Sequence, residues 1–267
     1  MSDLYQHPGE YDLEHLGDDE DIAFYLSLVR RLRPRRVLEL ACGTGRITIP
    51  LARAAHQLDF EVIGLDNSPA MLAHAREQLC DLPPEARQRI EFAEGDMRTW
   101  TWSAKFDLII IPCASISHVL AIEDQLAVWK TAHGNLSAGG RFVVEVNMPN
   151  MAAFADSFSM PLRTPLEVDL DNYDEGSGTR LIRRKTTRYL SHEQRAEIRF
   201  MYEKYKEGRA VESYIDDFIS HVFFPREMKL LFLQAGFTVE STCGDYRGTR
   251  LRPDSRLILM TGLKTRS

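Results

Sequence analysis

The sequence holds four cysteines among its 267 residues, Cys42, Cys80, Cys113 and Cys243, and no two of them form a Cys-x-x-Cys pair or a Cys/His cluster. That spacing excludes a zinc ribbon or thiol-redox motif, leaves no metal site to expect, and fits a reducing, cytoplasmic compartment. Long apolar runs are also missing. Leu108-Ile109-Ile110-Ile111 is among the longest, far short of the about 18 residues a membrane span needs. Met1 to Gly9 is polar, so no secretory leader is expected there. Basic residues do not dominate: 33 Lys+Arg stand against 39 Asp+Glu, a net charge of −6. Neither a nucleic acid nor a membrane is therefore an expected partner. The arginines between Arg30 and Arg36 read as a solvated helix end. Repeats and low-complexity linkers are absent. What remains, 44% hydrophobic and 27% charged, is the make-up of a globular protein. One nucleotide-type α/β domain needs only about 200 residues, so some length is surplus.

Residues 1–20 are polar and acidic, with Tyr5, Tyr11 and Leu16 as the side chains able to dock on a core. The spacing of Ile22, Leu26, Val29 and Arg33 predicts a helix from Asp21 to Leu32, acidic at its start, basic at its end and stopped by Pro34. Strands and helices then alternate. Arg36 to Leu40 reads as a strand, Gly45 to Ala55 as a helix and Glu61 to Leu65 as a strand. Ser68-Pro69 opens a helix to about Leu79, with serine as N-cap and proline at the first turn. Ile90 to Ala93, Phe106 to Ile111 and Arg141 to Val146 complete a set of near-continuous apolar strands, with a helix at Gln125 to Leu136 before the last. Such strands, separated by helices, predict a parallel sheet covered on both faces.

The rhythm breaks at about 160–223. Three long segments, Thr179 to Leu190, Ala196 to Lys206 and Ala210 to Phe223, are separated by short turns. In the middle one, Ala196, Ile198, Phe200 and Tyr202 alternate with Glu197, Arg199, Met201 and Glu203, an antiparallel pattern with one wet face. Pro225 opens a final helix, and Phe237 to Thr242 and Leu257 to Thr261 end the chain as strands. The expected domains are an N-terminal arm at 1–20, a core at 21–150, an antiparallel insertion at 151–223, and the rest of the core at 224–267.

The chemistry is concentrated in Val37-Leu38-Glu39-Leu40-Ala41-Cys42-Gly43-Thr44-Gly45-Arg46. A strand runs into glycines one residue apart, which let backbone turn sharply and a ligand approach its amides. Asp66 ends the next strand, where it can accept hydrogen bonds from ribose hydroxyls. A dinucleotide fingerprint wants a third small residue where Thr48 stands, and a carboxylate such as Glu39 repels a pyrophosphate. A cationic ligand suits Glu39 better.

At these residues the sequence resembles the class I S-adenosylmethionine (SAM)-dependent methyltransferases. The first motif of that family is matched by Glu39, Gly43 and Gly45. The acid ending its second strand is matched by Asp66, and the acid after its third by Asp96 in Glu94-Gly95-Asp96-Met97-Arg98. Phe106-Asp107-Leu108-Ile109-Ile110 matches its fourth strand and Gly139-Gly140 its turn before the fifth. The resemblance covers about 20–147 and returns at about 225–262. It implies a Rossmann-like, doubly wound α/β fold with a seven-stranded sheet, mostly parallel with an antiparallel C-terminal strand. The inserted antiparallel sheet would then be a lid, as in glycine, sarcosine and amino-sugar N-methyltransferases.

The resemblance also implies S-adenosyl-L-methionine as cofactor, with S-adenosyl-L-homocysteine (SAH) as product. Glu39, with Ala41, Gly43 and Gly45, would meet its methionyl part, and Asp66 the ribose. Asn67, Met71, Asp96 and Met97 would surround the adenine. Cys113 would line the site from the turn after strand four, and Tyr11 would close over it from the N-terminal arm.

Methyl transfer is an in-line displacement that needs alignment, and a base only if the nucleophile starts protonated. Pro112-Cys113-Ala114-Ser115-Ile116-Ser117-His118 lies at the carboxyl end of the sheet, where ligands bind. His118 is the candidate base, with a helix-capping role as the alternative, and Ser115 and Ser117 are candidate acceptor contacts. Tyr214 and Phe218 share one face of the third inserted strand and are candidate pocket residues. Arg180, Arg183, Arg184, Lys185 and Arg188 are expected to pair across strands with Glu212, Asp216 and Asp217. The expected activity is methylation of a nitrogen or oxygen of a small molecule. Methylation of a macromolecule and a non-catalytic SAM-binding subunit are the alternatives. A homodimer through the inserted sheet is a further expectation.

Overall fold

A computed structural model describes residues 7–159 and 162–265. In chain order, a helix at Pro8–Glu14 (α1) and one at Glu20–Leu32 (α2) precede Arg36–Leu40 (β1), Thr48–Leu58 (α3) and Glu61–Asp66 (β2). Then come the helices Pro69–Gln78 (α4) and Pro84–Arg87 (α5), the strands Ile90–Glu94 (β3) and Phe106–Ile111 (β4), the helix Ile122–Asn135 (α6) and the strand Leu136–Asn147 (β5). A short helix at Met151–Asp156 (α7) leads to four strands: Glu167–Asp174 (β6), Thr179–Leu190 (β7), Arg195–Lys206 (β8) and Arg209–His221 (β9). The helix Pro225–Gln234 (α8) and the strands Thr238–Cys243 (β10) and Leu257–Leu263 (β11) close the chain. Two compact units emerge. One is Asp19–Met148 with Phe223–Ser267, and the other joins residues up to Asp18 to Pro149–Val222.

The larger unit is a seven-stranded sheet in the order β10-β11-β5-β4-β1-β2-β3. β3, β2, β1, β4 and β5 pair in parallel, and β11 runs antiparallel to both β5 and β10. The fold class read from the sequence therefore stands. Alternate residues of each strand feed two apolar layers. Leu38 and Leu40 pack with Trp129, Phe142 and Phe232 on one face, and Val37 packs with Tyr25, Leu51 and Leu108 on the other. Element ends move by a few residues. α3 starts at Thr48 rather than Gly45, because Gly43 and Gly45 take positive φ and cannot continue a helix. β5 starts at Leu136 and runs through Gly139-Gly140, its pairing with β4 shifting register between Phe106 and Leu108. The buried face of α2 is Asp21, Tyr25, Leu28 and Val29, one step round from the face that Ile22 and Leu26 predict.

The smaller unit is an antiparallel sheet in the order β6-β7-β8-β9. The sequence suggests three strands here. β6 is the addition, hidden because its Asp and Asn residues disfavour strands in isolation. The expected alternation in β8 holds, with Ala196, Phe200 and Tyr202 buried. The arginine partners differ from expectation because β8 lies between β7 and β9. Arg180 pairs with Asp171 of β6, Arg184 and Arg188 pair with Glu203 and Glu197 of β8, and Asp217 of β9 pairs with Arg199 of β8.

The acidic N-terminal segment is a helix that belongs to this sheet. Glu14 of α1 is buried against Arg183 of β7 at 2.6 Å, and Glu10 against Lys204 of β8 at 2.6 Å. The Asn172 amide of β6 donates to the carbonyls of Leu13 and Glu14 at 2.8 and 3.0 Å, capping the helix end. Tyr5 lies outside the described residues, and Leu16 is exposed. Among the described residues, no helix is long and apolar enough to cross a membrane.

Candidate functional site

Because β1, β2 and β3 are parallel neighbours, their carboxyl ends fall side by side. The turn after β1 holds three residues with positive φ, Ala41 at 58°, Gly43 at 55° and Gly45 at 80°. A Cβ on Gly45 would lie 2.7 Å from the Phe92 ring, so a side chain there is barred by packing as well as by φ.

Asp66 joins this turn to the next one. Its carboxylate accepts from the Gly43 N–H at 2.8 Å and from the Ser68 N–H at 2.8 Å. Burial raises its pKa, and these backbone donors oppose the rise. Ser68 caps α4, accepting from the Met71 N–H at 3.3 Å, with Met71 buried behind it and Asn67 exposed.

Glu39 is almost wholly buried at the end of β1. Its partner is the Thr48 hydroxyl, which donates to it. The residue that spoils the dinucleotide fingerprint is thus the one that holds the strand-end acid. Burial pushes the Glu39 carboxyl up to about 8, against the pull of the Thr48 hydrogen bond and the Arg46 charge.

Asp96, after β3, is held differently. Arg98 donates to it from Nε at 2.9 Å and Nη2 at 2.5 Å, and reaches Asp124 at 2.8 Å. Those bonds keep the Asp96 pKa below its ordinary value. Met97 packs against the apolar layer beside it.

The turn after β4 also uses left-handed backbone, at Cys113 (φ 54°) and Ala114 (φ 55°), neither a glycine. It leads into a single 3₁₀ turn, Ser115–His118. The Ser115 hydroxyl donates to the Pro112 carbonyl at 3.0 Å and the Ser117 N–H to the Ala114 carbonyl at 2.9 Å. Ser117 is buried and His118 exposed.

Beneath this turn lies a polar cluster that the sequence reading missed. Glu145, a single acid within Phe142-Val143-Val144-Glu145-Val146, is buried on β5. It accepts from the Tyr246 hydroxyl at 2.8 Å and the Tyr25 hydroxyl at 3.4 Å. Burial raises its pKa to about 7, and burial first, then the Glu145 charge, raises those of both tyrosines. Arg46 grips buried Asp21 with both terminal nitrogens and donates to the Cys113 sulfur at 3.1 Å. Burial, more than any charge, pushes the Cys113 thiol up. The signals were present: a lone carboxylate in an apolar strand, and Asp21 and Tyr25 one helical turn apart.

Tyr11, Tyr214 and Phe218 lie in the smaller unit. All three pack on a cluster of Leu181, Phe200 and Tyr202, and the Tyr214 ring stacks on Tyr202 at 4.5 Å. The other candidate residues belong to the larger unit. Among the described residues, no group of three His, Cys, Asp or Glu side chains is arranged to hold a metal.

The donor set at the strand ends fits SAM. That ligand carries an ammonium, a sulfonium, two ribose hydroxyls and an adenine amino group. Glu39, Asp66 and Asp96 are acceptors for such groups, and the positive-φ turn beside them is partly exposed at Ala41 and Gly43.

Residues 37–140 match the family described as "Methyltransferase domain". A putative methyltransferase, YqeM, of Bacillus subtilis is 34% identical over 113 residues, 42% of this chain and 42% of its own. A trans-aconitate 2-methyltransferase of Streptomyces avermitilis is 34% identical over 42% of this chain and 39% of its own. The chain thus spans about two fifths of the length of these relatives. Another relative aligns nearly end to end. The dTDP-3-amino-3,4,6-trideoxy-alpha-D-glucopyranose N,N-dimethyltransferase of Streptomyces venezuelae is 28% identical over 92% of this chain and 95% of its own. Among solved structures, Streptomyces venezuelae DesVI superposes with a TM-score of 0.73 at 22% identity, covering 96% of this chain and 97% of its own. A SAM-dependent methyltransferase of Clostridium acetobutylicum gives 0.71 at 15% identity, covering 93% and 92%.

Proposed function

Because residues 37–140 match a methyltransferase domain, we propose that the chain transfers a methyl group from SAM to an amine of a small molecule, a sugar amine first among them. The observation that carries this reading is the row of Glu39, Asp66 and Asp96 at neighbouring strand ends around a positive-φ turn. The relative aligned over 92% of this chain, named as an amino-sugar N,N-dimethyltransferase, supports the acceptor class.

Bound SAM supplies an electrophilic methyl group whose leaving group is already charged. Glu39 would accept from its ammonium, Asp66 from the ribose and Asp96 from the adenine amino group, while Met71 and Met97 would give the base apolar neighbours. Ser115 and Ser117, in the Cys113–His118 turn, are the residues we assign to acceptor contact. An amine must lose a proton before it attacks, and His118 takes it. Carboxyl-rich surroundings favour an amine over a carboxylate acceptor. The exposed Val211, Ile215 and Ile219 of β9 support a homodimer through the four-stranded sheet, which sedimentation tests.

The direct experiment offers labelled SAM with a dTDP-linked 3-amino sugar, and separately with pooled amines, phenols and carboxylic acids. Label is expected on an amine, and His118→Ala is expected to slow turnover at unchanged SAM affinity. Calorimetry that finds neither SAM nor SAH binding to folded protein overturns the reading. Binding without transfer to any pool favours a non-catalytic subunit.

A further inference from the structure

Arg46 lies next to Gly45 in the chain, yet its guanidinium serves two other elements. Both terminal nitrogens engage Asp21, at the start of α2, and Nη2 also donates to Cys113 Sγ at 3.1 Å. Cys113 Sγ lies in turn 3.7 Å from Asp21 Oδ2. Asp21 is anchored independently, its Oδ1 accepting from the Ile22 N–H at 2.7 Å.

Two features make this arrangement costly. Both ions are largely withdrawn from water, with side-chain exposures of 12% and 7%, and a buried ion pair often stabilises no better than an apolar replacement. The turn it touches stacks two non-glycine residues in the left-handed region, a strain that persists only where the surroundings impose it. A planar fork can hold a carboxylate and a sulfur at once, which an ammonium cannot do with the same geometry.

We propose that Arg46 is a positioning residue that clamps Cys113 against Asp21, holding the strained turn so that Ser115, Ser117 and His118 face the acceptor. It thereby ties the glycine turn on the cofactor side to the turn on the acceptor side, without itself touching the reacting atoms. The inference rests on the methyltransferase reading for its consequence, but its structural half is measurable without any ligand.

The test compares full-length wild type with Arg46→Met, Arg46→Lys and Cys113→Ala. Backbone amide exchange is followed at Ser117 and Val119, whose N–H groups bond Ala114 and Ile116 at 2.9 and 3.0 Å. In Arg46→Met these amides exchange at least about tenfold faster, while β1 and β2 keep their protection. Arg46→Lys, which keeps the charge and loses the fork, behaves like Arg46→Met, and Cys113→Ala shows a smaller increase. In the two Arg46 variants SAH affinity, read by calorimetry, stays within about threefold of wild type. With labelled SAM and a dTDP-linked 3-amino sugar, kcat falls and the KM for SAM holds.

Unchanged exchange at Ser117 and Val119 in both Arg46 variants overturns the proposal. So does a loss of SAH affinity in step with kcat, which would make Arg46 a cofactor contact. If Arg46→Met does not fold, Arg46→Lys and Cys113→Ala decide. If wild type binds no SAH, the methyltransferase reading falls while the exchange comparison still judges the clamp.

Discussion

In the seven-stranded unit the buried carboxyls meet neutral donors: a hydroxyl at Glu39, backbone N–H groups at Asp66, and two phenols at Glu145. In the four-stranded unit the buried carboxyls of Glu10 and Glu14 meet a lysine and an arginine. A carboxyl held by neutral donors is still short of positive charge, and a cationic ligand can supply it. One already joined to a cation is a fastening. By this measure the larger unit is built to receive something, and the smaller unit to hold α1 in place. Within the larger unit Asp21, paired with Arg46, and the less buried Asp96, paired with Arg98, are already fastened.

The largest effect expected is in the smaller unit. Glu14→Ala removes the more deeply buried of the two carboxylates that Arg183 joins, leaving Asp169 at 3.0 Å, and should cost about 2–3 kcal/mol, read by denaturant unfolding. The amides of 8–14 should lose protection while SAH affinity holds; equal loss of SAH affinity would erase the division between the units. Next, Asp66→Ala should weaken SAH binding by at least about tenfold, because hydrogen bonds to a charged group contribute roughly 1.5–3 kcal/mol. An unchanged dissociation constant by calorimetry would remove Asp66 from the cofactor site.

Acidity sharpens the contrast further. Glu39 is raised from 4.5 to about 8 and Glu145 from 4.5 to about 7 in the folded chain. An acid whose folded pKa is raised is destabilising where the unfolded chain ionises first. The penalty is absent below about pH 4.5, grows as pH rises, and is complete above the folded values. Ligand-free Tm should therefore fall between pH 5 and pH 9, and Glu39→Gln and Glu145→Gln should each flatten the slope; parallel slopes would deny that these carboxyls are held uphill. The smallest effect belongs to the exposed ladder, where Arg199→Ala should change stability by only about 0–0.5 kcal/mol.

The parts of the fold legible in the sequence were those with a repeating local pattern. β1, β2 and β4 are largely apolar, and β8 alternates over 196–203. β6 and α1 were not legible as elements, because each is polar and exists through a partner. Asn172 finds the end of α1, and Glu10 and Glu14 find cations far along the chain. The same holds at the site. Glu39 and Asp66 announce themselves by position at a strand end, and Asp96 by position just after one. Arg46, Asp21 and Tyr246 matter through neighbours that only folding supplies.

The attachment of α1 also sets an order in time. Its partners follow it by 159 residues at Asn172, 169 at Arg183 and 194 at Lys204. At synthesis rates of about 5–20 residues per second, that is a wait of roughly 10–40 seconds. A helix of 7 residues is far below the about 12–15 needed to persist alone in water. A segment made before the strands β1 to β5 is thus among the last to take shape, after those strands have already been made.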